Sequence, residues 1–393
     1  MDGSMKISTM KKIDRWAGFP ACFLLGIFRF LSGDRVPEKI DRVLVIKFWG
    51  MGSMVLALPV FKALRQAYPG AQIGFATIDR NREFAELLKI SDQQIYLELP
   101  PNPLRVLTSI LSFFWQLRKF KPQLVIDLEY LTRFSALASF LSGAQQRVGF
   151  HSWDVWRGSL HNIRVPFSPY WHASENFLNL VRKAAQKDFK LDFDFTIPEN
   201  PAAQKGLAQK LAELGMAGDK PLLVVNPNAS TIALERRWPP EHFVQLIDAI
   251  SNQGLGIPLL IGSEDERGFV ESLRRRLKAP AQCLNLAGRL SLIELIELLR
   301  RAELLITNDS GPLHIAELLH TRTVSFFGPE TPVLFGPLGK GHKVLYRGID
   351  CSPCITIYNA KTVRCIRKLP ECLAGISPEQ ALAAVKEQLG DKK

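Results

Sequence analysis

From Asp41 onward the chain repeats one grammar: a short apolar run rich in β-branched residues, a polar or glycine-bearing turn, then a helix-forming stretch. This alternation constrains the fold more than any other feature. Strands buried on both faces read as continuous apolar runs, and parallel strands need helical crossovers to join them. Residues 42–47 are the first such strand, 48–52 its turn and 53–67 its helix, bent by the internal Pro59 and stopped at Tyr68, Pro69 and Gly70. Strands are expected again at 71–77, 94–99, 123–127 and 147–150. The second half restarts with strands at 222–226, 257–262, 282–287, 303–307 and 323–327. Helices at 240–252, 264–277, 291–300 and 312–319 separate them. The expected fold is therefore α/β, built as two doubly wound, mostly parallel sheets. Two such sheets in series imply a cleft between domains, with functional loops at the C-terminal ends of strands.

At 393 residues the chain exceeds one ordinary domain. The stretch 191–201 reads as the junction, giving domains at 41–195 and 196–393 behind a leading segment, 1–40. Asp192 and Asp194 sit in this junction with the spacing of a metal-binding carboxylate pair. They alternate with Leu191, Phe193 and Phe195, so a surface-edge strand accounts for them without a metal. The formal net charge of +12 favours anionic partners. The chain carries no arginine-rich tail, RNA-binding aromatic signature or zinc-finger spacing with paired histidines, so nucleic acid is not an expected partner.

Two stretches are apolar beyond what a core helix needs. Residues 16–28 hold no charge, follow Lys11, Lys12 and Arg15, and precede Arg29. Thirteen residues fall short of the ~20 that cross a bilayer core. A signal peptide shares this outline, as does a helix packed on the protein. The preferred reading is a membrane-surface helix whose Trp16, Phe19, Phe23, Phe28 and Phe30 enter the interface of an anionic membrane. Residues 102–121 form a second helix, with Leu107, Ile110, Leu111, Phe114 and Leu117 on one face. Core packing is the favoured reading there, and contact with a membrane or lipid acceptor the sharper one.

The chemistry concentrates at strand ends in the second half. Residues 307–314 read Thr-Asn-Asp-Ser-Gly-Pro-Leu-His. Asp309 and Ser310 close a strand, Gly311 allows close backbone approach, Pro312 suits a helix's first turn, and His314 lies within it. The free N–H groups and dipole of that turn make an anion pocket suited to a diphosphate; an Asp/Ser cap beside a core histidine is the plainer alternative. Residues 226–231, with Ser230 and Thr231, follow another strand and lead to Arg236, Arg237 and Trp238. A guanidinium beside hydroxyls meets the charge that develops on a nucleoside-diphosphate leaving group. Glu264, after Gly262 and Ser263, suits ribose hydroxyls, and Gly288 and Arg289 add a cation at a further strand end.

Taken together, these residues resemble glycosyltransferase family 9, the ADP-heptose:lipopolysaccharide heptosyltransferases, from about Asp41 to the C-terminus. The most specific parts are 307–314, the Arg-Arg-Trp-Pro step at 236–239 and the Lys-Phe-Trp-Gly-Met-Gly loop at 47–52. The resemblance implies a GT-B fold of two facing Rossmann-like domains, with acceptor in the first and nucleotide-sugar donor in the second. It also implies an inverting, metal-independent transfer of a heptose to a lipid-linked saccharide, with no cofactor required, by a peripheral enzyme on the cytoplasmic face of the membrane. Asp309, Ser310, Gly311 and His314 then match the diphosphate and sugar site. Arg236 falls where the family usually has a diphosphate-binding lysine, Ser230 and Thr231 match the hydroxyls beside it, and Glu264 matches the nucleoside carboxylate. Lys47, Gly50 and Gly52 belong to the acceptor-side loop.

One departure stands out. The family's loop usually reads Met-Gly-Asp, with the aspartate as general base, and here it reads Met51-Gly52-Ser53. A serine hydroxyl takes no proton unaided at neutral pH, so Glu129, and after it Asp127, are the candidate substitutes. The cysteines Cys351, Cys354, Cys365 and Cys372 have spacing compatible with a structural zinc site, ranked behind free or redox-active thiols. Two rival functions differ in class. A nicotinamide-dependent oxidoreductase would use Gly50 and Gly52, but Val55 occupies the third glycine place of that fingerprint. A non-catalytic glycan- or nucleotide-sugar-binding relative is suggested by Ser53.

Overall fold

The computed structural model describes residues 14, 16–32, 34, 36–151, 155–216, 220–230, 233–356 and 364–390. The chain divides into two compact units, Met1–Asp194 and Phe195–Lys393. Each holds a six-stranded sheet whose strands pair in parallel throughout.

In the first unit the strands are β1 Arg42–Ile46, β2 Gln72–Ile78, β3 Gln93–Leu97, β4 Leu124–Asp127, β5 Gln146–His151 and β6 Ile163–Pro166, in the order β3-β2-β1-β4-β5-β6. In the second they are β7 Leu222–Asn226, β8 Ile257–Leu260, β9 Leu284–Asn285, β10 Leu304–Asn308, β11 Thr323–Phe327 and β12 His342–Tyr346, in the order β12-β11-β10-β7-β8-β9. The strand order reverses between β1 and β4 in one sheet, and between β7 and β10 in the other. At such a switch point the flanking loops leave in opposite directions and open a crevice beyond the strands' carboxyl ends. The central strands are buried along almost their whole length, as their unbroken Val, Ile and Leu runs require.

Several elements differ from expectation for identifiable reasons. The helix expected over 53–67 is two helices, Met51–Leu56 and Leu58–Ala67. Pro59 has no N–H to close a turn onto Val55, and its ring crowds that carbonyl. The stretch 264–277 holds a capped turn, Glu264–Glu266, followed by the shorter helix Arg267–Arg274. The strand expected at 282–287 shrinks to Leu284–Asn285. Residues 191–200 form no strand; Asp192 instead pairs with Lys62 at 2.6 Å. Strand β6 and the edge strand β12 are short or half-buried, so neither leaves a strong apolar run.

The helix Pro103–Phe120 forms where expected, with Asn102 accepting the Leu104 amide at 2.9 Å, but it is rotated. Val106, Phe113, Leu117 and Phe120 are its buried side chains, while Leu107 and Leu111, expected in the core, are exposed. The helix Gly18–Ser32 packs on helix Arg133–Leu141 through Cys22, which is fully buried against Ala136 and Leu160. Among the described residues no helix is long and apolar enough to cross a membrane.

Candidate functional site

The switch point of the second unit gathers most of the polar residues singled out above. Asn226 ends β7 and donates to Thr307 Oγ1 at 3.2 Å and Ser310 Oγ at 2.9 Å, tying the β7 loop to the β10 loop. Asn308 ends β10, donates to the Asn228 carbonyl at 3.0 Å and accepts the Trp238 amide at 2.9 Å. Trp238 lies flat on Phe326, ring centroids 4.2 Å apart, and its indole N–H donates to the Ile376 carbonyl at 2.9 Å. Amide side chains thus stitch together two loops that no strand pairing joins. Asn226, Asn228, Asn308 and Trp238 fix the site's shape, and apart from Trp238 nothing but their place at strand ends advertised them.

On this scaffold Arg236 and Asp309 meet. Arg236 donates from Nη1 to Asp309 Oδ2 at 3.0 Å, and its buried Nε has no hydrogen-bond partner among the described residues. Neighbouring Arg237 turns elsewhere, stacking on Phe269 at 4.2 Å. Helix Gly311–Leu318 begins directly after Ser310, whose side chain does not cap it; Pro312 has no N–H and the Leu313 amide donates to the Ser310 carbonyl at 3.2 Å, so of its first three positions only Gly311 keeps an amide without a partner among the described residues. His314 is buried in this helix and its Nδ1 lies 3.3 Å from Glu317 Oε2. Glu317 also accepts the Leu338 amide at 2.7 Å, so it anchors the histidine to the scaffold.

Glu264 sits at the end of β8 with its carboxylate against Gly288. A Cβ at Gly288 would fall 2.0 Å from Glu264 Oε2, and φ there is +71°, so glycine is demanded twice. Ser263 and Glu266 form a reciprocal capping box that fixes the turn, and Glu264 itself is solvent-facing beside Arg267. Ser230 is exposed at the edge of the β7 loop. Thr231 lies outside the described residues.

The first unit's switch point is a buried charge network. Lys47 directly follows β1 and is almost wholly buried; its Nζ donates to Glu129 Oε1 at 2.8 Å and the Trp49 carbonyl at 2.7 Å. The amides of Phe48 and Trp49 donate to the same Oε1 at 2.8 and 2.9 Å. Glu129 therefore holds the β1 loop in place. That loop turns at Gly50, with φ +83°, into helix Met51–Leu56, where Gly52 is buried and Ser53 half-buried.

Asp127 is a correction to the list of candidate bases. It is fully buried among partners that belong to the scaffold. Oδ1 accepts the Glu129 amide at 3.0 Å; Oδ2 accepts Ser135 Oγ at 2.8 Å and faces His161 Nε2 at 3.0 Å and Arg157 Nη1 at 3.5 Å. Arg157 goes on to donate to the Glu129 carbonyl at 2.6 Å and to that of Phe150. Burial pulls the His161 imidazole below its ordinary pKa, against the pull of Asp127. Gly149 makes room for this ring, since a Cβ there would lie 2.5 Å from His161 Nε2. Neither Arg157 nor His161 stood out in the sequence, because they follow no motif and reach β4 only through the fold.

The zinc expectation is corrected as well. Among the described residues no three His, Cys, Asp or Glu side chains are grouped to hold a metal, and Cys351, Cys354, Cys365 and Cys372 are free thiols. Cys365 donates weakly to the Leu369 carbonyl, and Cys372 is buried beside Gly328. Burial pushes the Cys372 thiol up to about 11.

Two doubly wound parallel sheets in series, each with a switch point at its centre, define the GT-B fold. A model of glycosyltransferase family 9 (heptosyltransferase) matches residues 110–362, and the chain belongs to that family. The oxidoreductase reading is thereby set aside. Lipooligosaccharide heptosyltransferase 2 of Haemophilus ducreyi is 25% identical over 324 residues, 79% of this chain and 89% of that protein. A family 9 glycosyl transferase from Veillonella parvula superposes with a TM-score of 0.72 at 19% identity, over 91% of this chain and 99% of that one. The Escherichia coli ADP-heptose LPS heptosyltransferase II superposes at 0.70 and 20% identity, over 89% and 99%.

Proposed function

We propose that this enzyme moves a heptose from an ADP-heptose-type donor to a lipid-linked saccharide of the lipopolysaccharide core, with inversion at the anomeric carbon and without a metal. The observation that carries the reading is Arg236. Its guanidinium pairs with Asp309, keeps a buried Nε without a partner among the described residues, and stands at the switch point where helix Gly311–Leu318 presents its N-terminus and the Gly311 amide. As the sugar leaves, negative charge grows on the diphosphate, and preorganised cations and amides stabilise that charge more than they stabilise the ground state. Asp309 orients the guanidinium, Ser310 and Gly311 bring the helix N-terminus and the Gly311 amide to the diphosphate, and His314 contacts the same region. Ser230 and Thr231 add hydroxyls, and Glu264 accepts from the ribose. Heptose as the sugar and the lipopolysaccharide core as acceptor rest on what the related enzymes are named for. Such an acceptor makes this a peripheral enzyme of the cytoplasmic membrane face.

On the acceptor side, Lys47, Gly50 and Gly52 shape the loop, and Glu129 is the carboxylate left to take the acceptor proton once Ser53 and Asp127 are set aside. Its Oε1 is committed to three N–H donors, so the reading uses Oε2. Ser53 favours a second reading, a relative that binds the donor but turns it over slowly or not at all. Turnover of ADP-heptose on purified deacylated core saccharide separates the two, run in EDTA and with Arg236→Ala, Asp309→Ala and Glu129→Gln. The first reading expects product in EDTA and losses of at least ~100-fold for Arg236→Ala and Glu129→Gln. Donor binding without product from any acceptor would establish the second reading. No binding of ADP or ADP-heptose would sink both.

A further inference from the structure

We infer that helices Gly18–Ser32 and Pro103–Phe120 form one lipid-inserting face that seats the enzyme on an anionic bilayer. The inference rests on the lipid-linked acceptor proposed above and names the surface that reaches it.

Helix Gly18–Ser32 is built the reverse of a helix meant for a core. Its protein-facing side carries the small residues Gly18, Cys22 and Gly26 at four-residue spacing, with Leu25 as the one large residue packed against the Cys22 cluster. A Cβ on Gly18 would come within 2.9 Å of Arg133 Cβ, so the close approach needs glycine. Its outward side carries Leu24, Ile27 and Phe28, all exposed, with Phe19 and Phe23 exposed at its edge beside the Trp156 ring, at 4.8 and 6.5 Å, and with Trp16 before and Phe30, 87% exposed, after them. An amphipathic surface helix normally turns its large apolar residues inward. This one is also pinned, so the outward face is held in position. Asp14 accepts the Arg133 and Phe134 amides, each at 2.9 Å, and Arg29 pairs with Asp34, which in turn meets Arg147 at 3.1 Å.

Helix Pro103–Phe120 repeats the device. Leu104, Leu107, Leu111 and Trp115 fall at three- and four-residue spacings on its exposed side, opposite the buried Phe113 and Leu117. Helix Arg133–Leu141 packs against both. Its Phe134 and Ala138 join the cluster of Phe113 and Leu117, and its Ala136 and Leu137 join that of Cys22. The helices that carry the two apolar stripes therefore pack on the same helix of the first unit.

Charge selects a bilayer as the occupant. Residues 15–33 and 99–126 contain no Asp or Glu, the flanking Asp14 and Asp34 are taken up by the Arg133 and Phe134 amides and by Arg29 and Arg147, and Lys11, Lys12 and Arg15 precede the first stripe in sequence. Arg105, Arg118, Lys119 and Lys121 border the second, and Lys119 Nζ lies 4.9 Å from the Trp115 ring centroid. Large apolar side chains with aromatic rings inside a cationic rim match the interface of an anionic monolayer, where rings sit at headgroup depth and cations meet lipid phosphates.

The test is co-sedimentation of the full chain with phosphatidylcholine vesicles, with and without phosphatidylglycerol, together with light scattering in their absence. Wild type is expected to bind the anionic vesicles and to bind less in high salt. Phe23→Ser/Phe28→Ser and Leu107→Ser/Trp115→Ser should each lower the partition coefficient at least ~10-fold. Both variants should keep wild-type ADP affinity, which also shows that they fold. Vesicle binding indifferent to both double variants would overturn the inference. So would a dimer in solution that the substitutions dissolve while wild type ignores vesicles, since the face would then belong to a second copy. ADP affinity and turnover on a deacylated acceptor are measured without vesicles, so a failed functional reading and a failed membrane face give different results.

Discussion

The Lys47–Glu129 pair makes the most exacting test of how the first unit's switch point is held. Both side chains are nearly solvent-free, at 2% and 4% exposure, and Lys47 supplies one of three donors converging on a single carboxylate oxygen. Lys47→Met removes the cation while conserving most of the buried volume. Glu129 then keeps two amides but stays buried without its counter-charge. Removing one partner of a buried pair destabilises by about 3–5 kcal/mol, and the two remaining amides put this case near 3. For a unit of this size, about 3 kcal/mol corresponds to roughly 6–12 °C in Tm. Replacing both, as Lys47→Met/Glu129→Gln, leaves no orphaned charge, so the double variant should be less destabilised than the two single effects added. Thermal melts of wild type, both single variants and the double variant complete the cycle, with an expected coupling of about 2 kcal/mol. A Lys47→Met protein within about 0.5 kcal/mol of wild type, or single effects that simply add, would refute the view that Glu129 anchors the β1 loop through Lys47.

Other features give sharper or simpler outcomes. His161 is held neutral by burial, so its folded pKa lies below the unfolded value. Below about pH 6.5 the unfolded chain binds the extra proton, and stability contributed by neutral His161 is present above that pH and lost as pH falls. Melting curves from pH 7.5 down to 5 should show this decline, and His161→Gln should flatten it. Trp238→Ala removes the stack on Phe326 and the bond to the Ile376 carbonyl and should destabilise the second unit by about 3–5 kcal/mol, read by denaturant unfolding. Arg236→Lys keeps the charge but loses the fork, so calorimetry should find ADP affinity between those of wild type and Arg236→Ala. Cys22 and Cys283, whose thiols burial pushes up to about 11 and about 12, should be the last cysteines alkylated by iodoacetamide in native protein.

What the sequence made legible follows a physical rule. Buried parallel strands announce themselves because both faces must be apolar, so β1, β4, β7, β10 and β11 could be read directly; β6, with alternate residues exposed, left no comparable run. Loops at the ends of those strands were legible where residue types carry chemistry, as at Arg236 and Asp309, which the fold brings to 3.0 Å across 73 positions. Partners drawn in by tertiary structure alone were not. Arg157 and His161 reach Asp127 from a segment without a motif, and only their arrival reveals that Asp127 is structural. Helix rotation was equally hidden. In 103–120 the apolar residues outnumber what one face can bury, so spacing could not choose between Leu107 with Leu111 and Val106 with Phe113. The surplus is the informative part. A helix with more apolar side chains than its contact can bury must either waste them in water or meet another apolar phase. Two such helices packed on one and the same helix, with no acid in either stretch, make the second outcome the economical one.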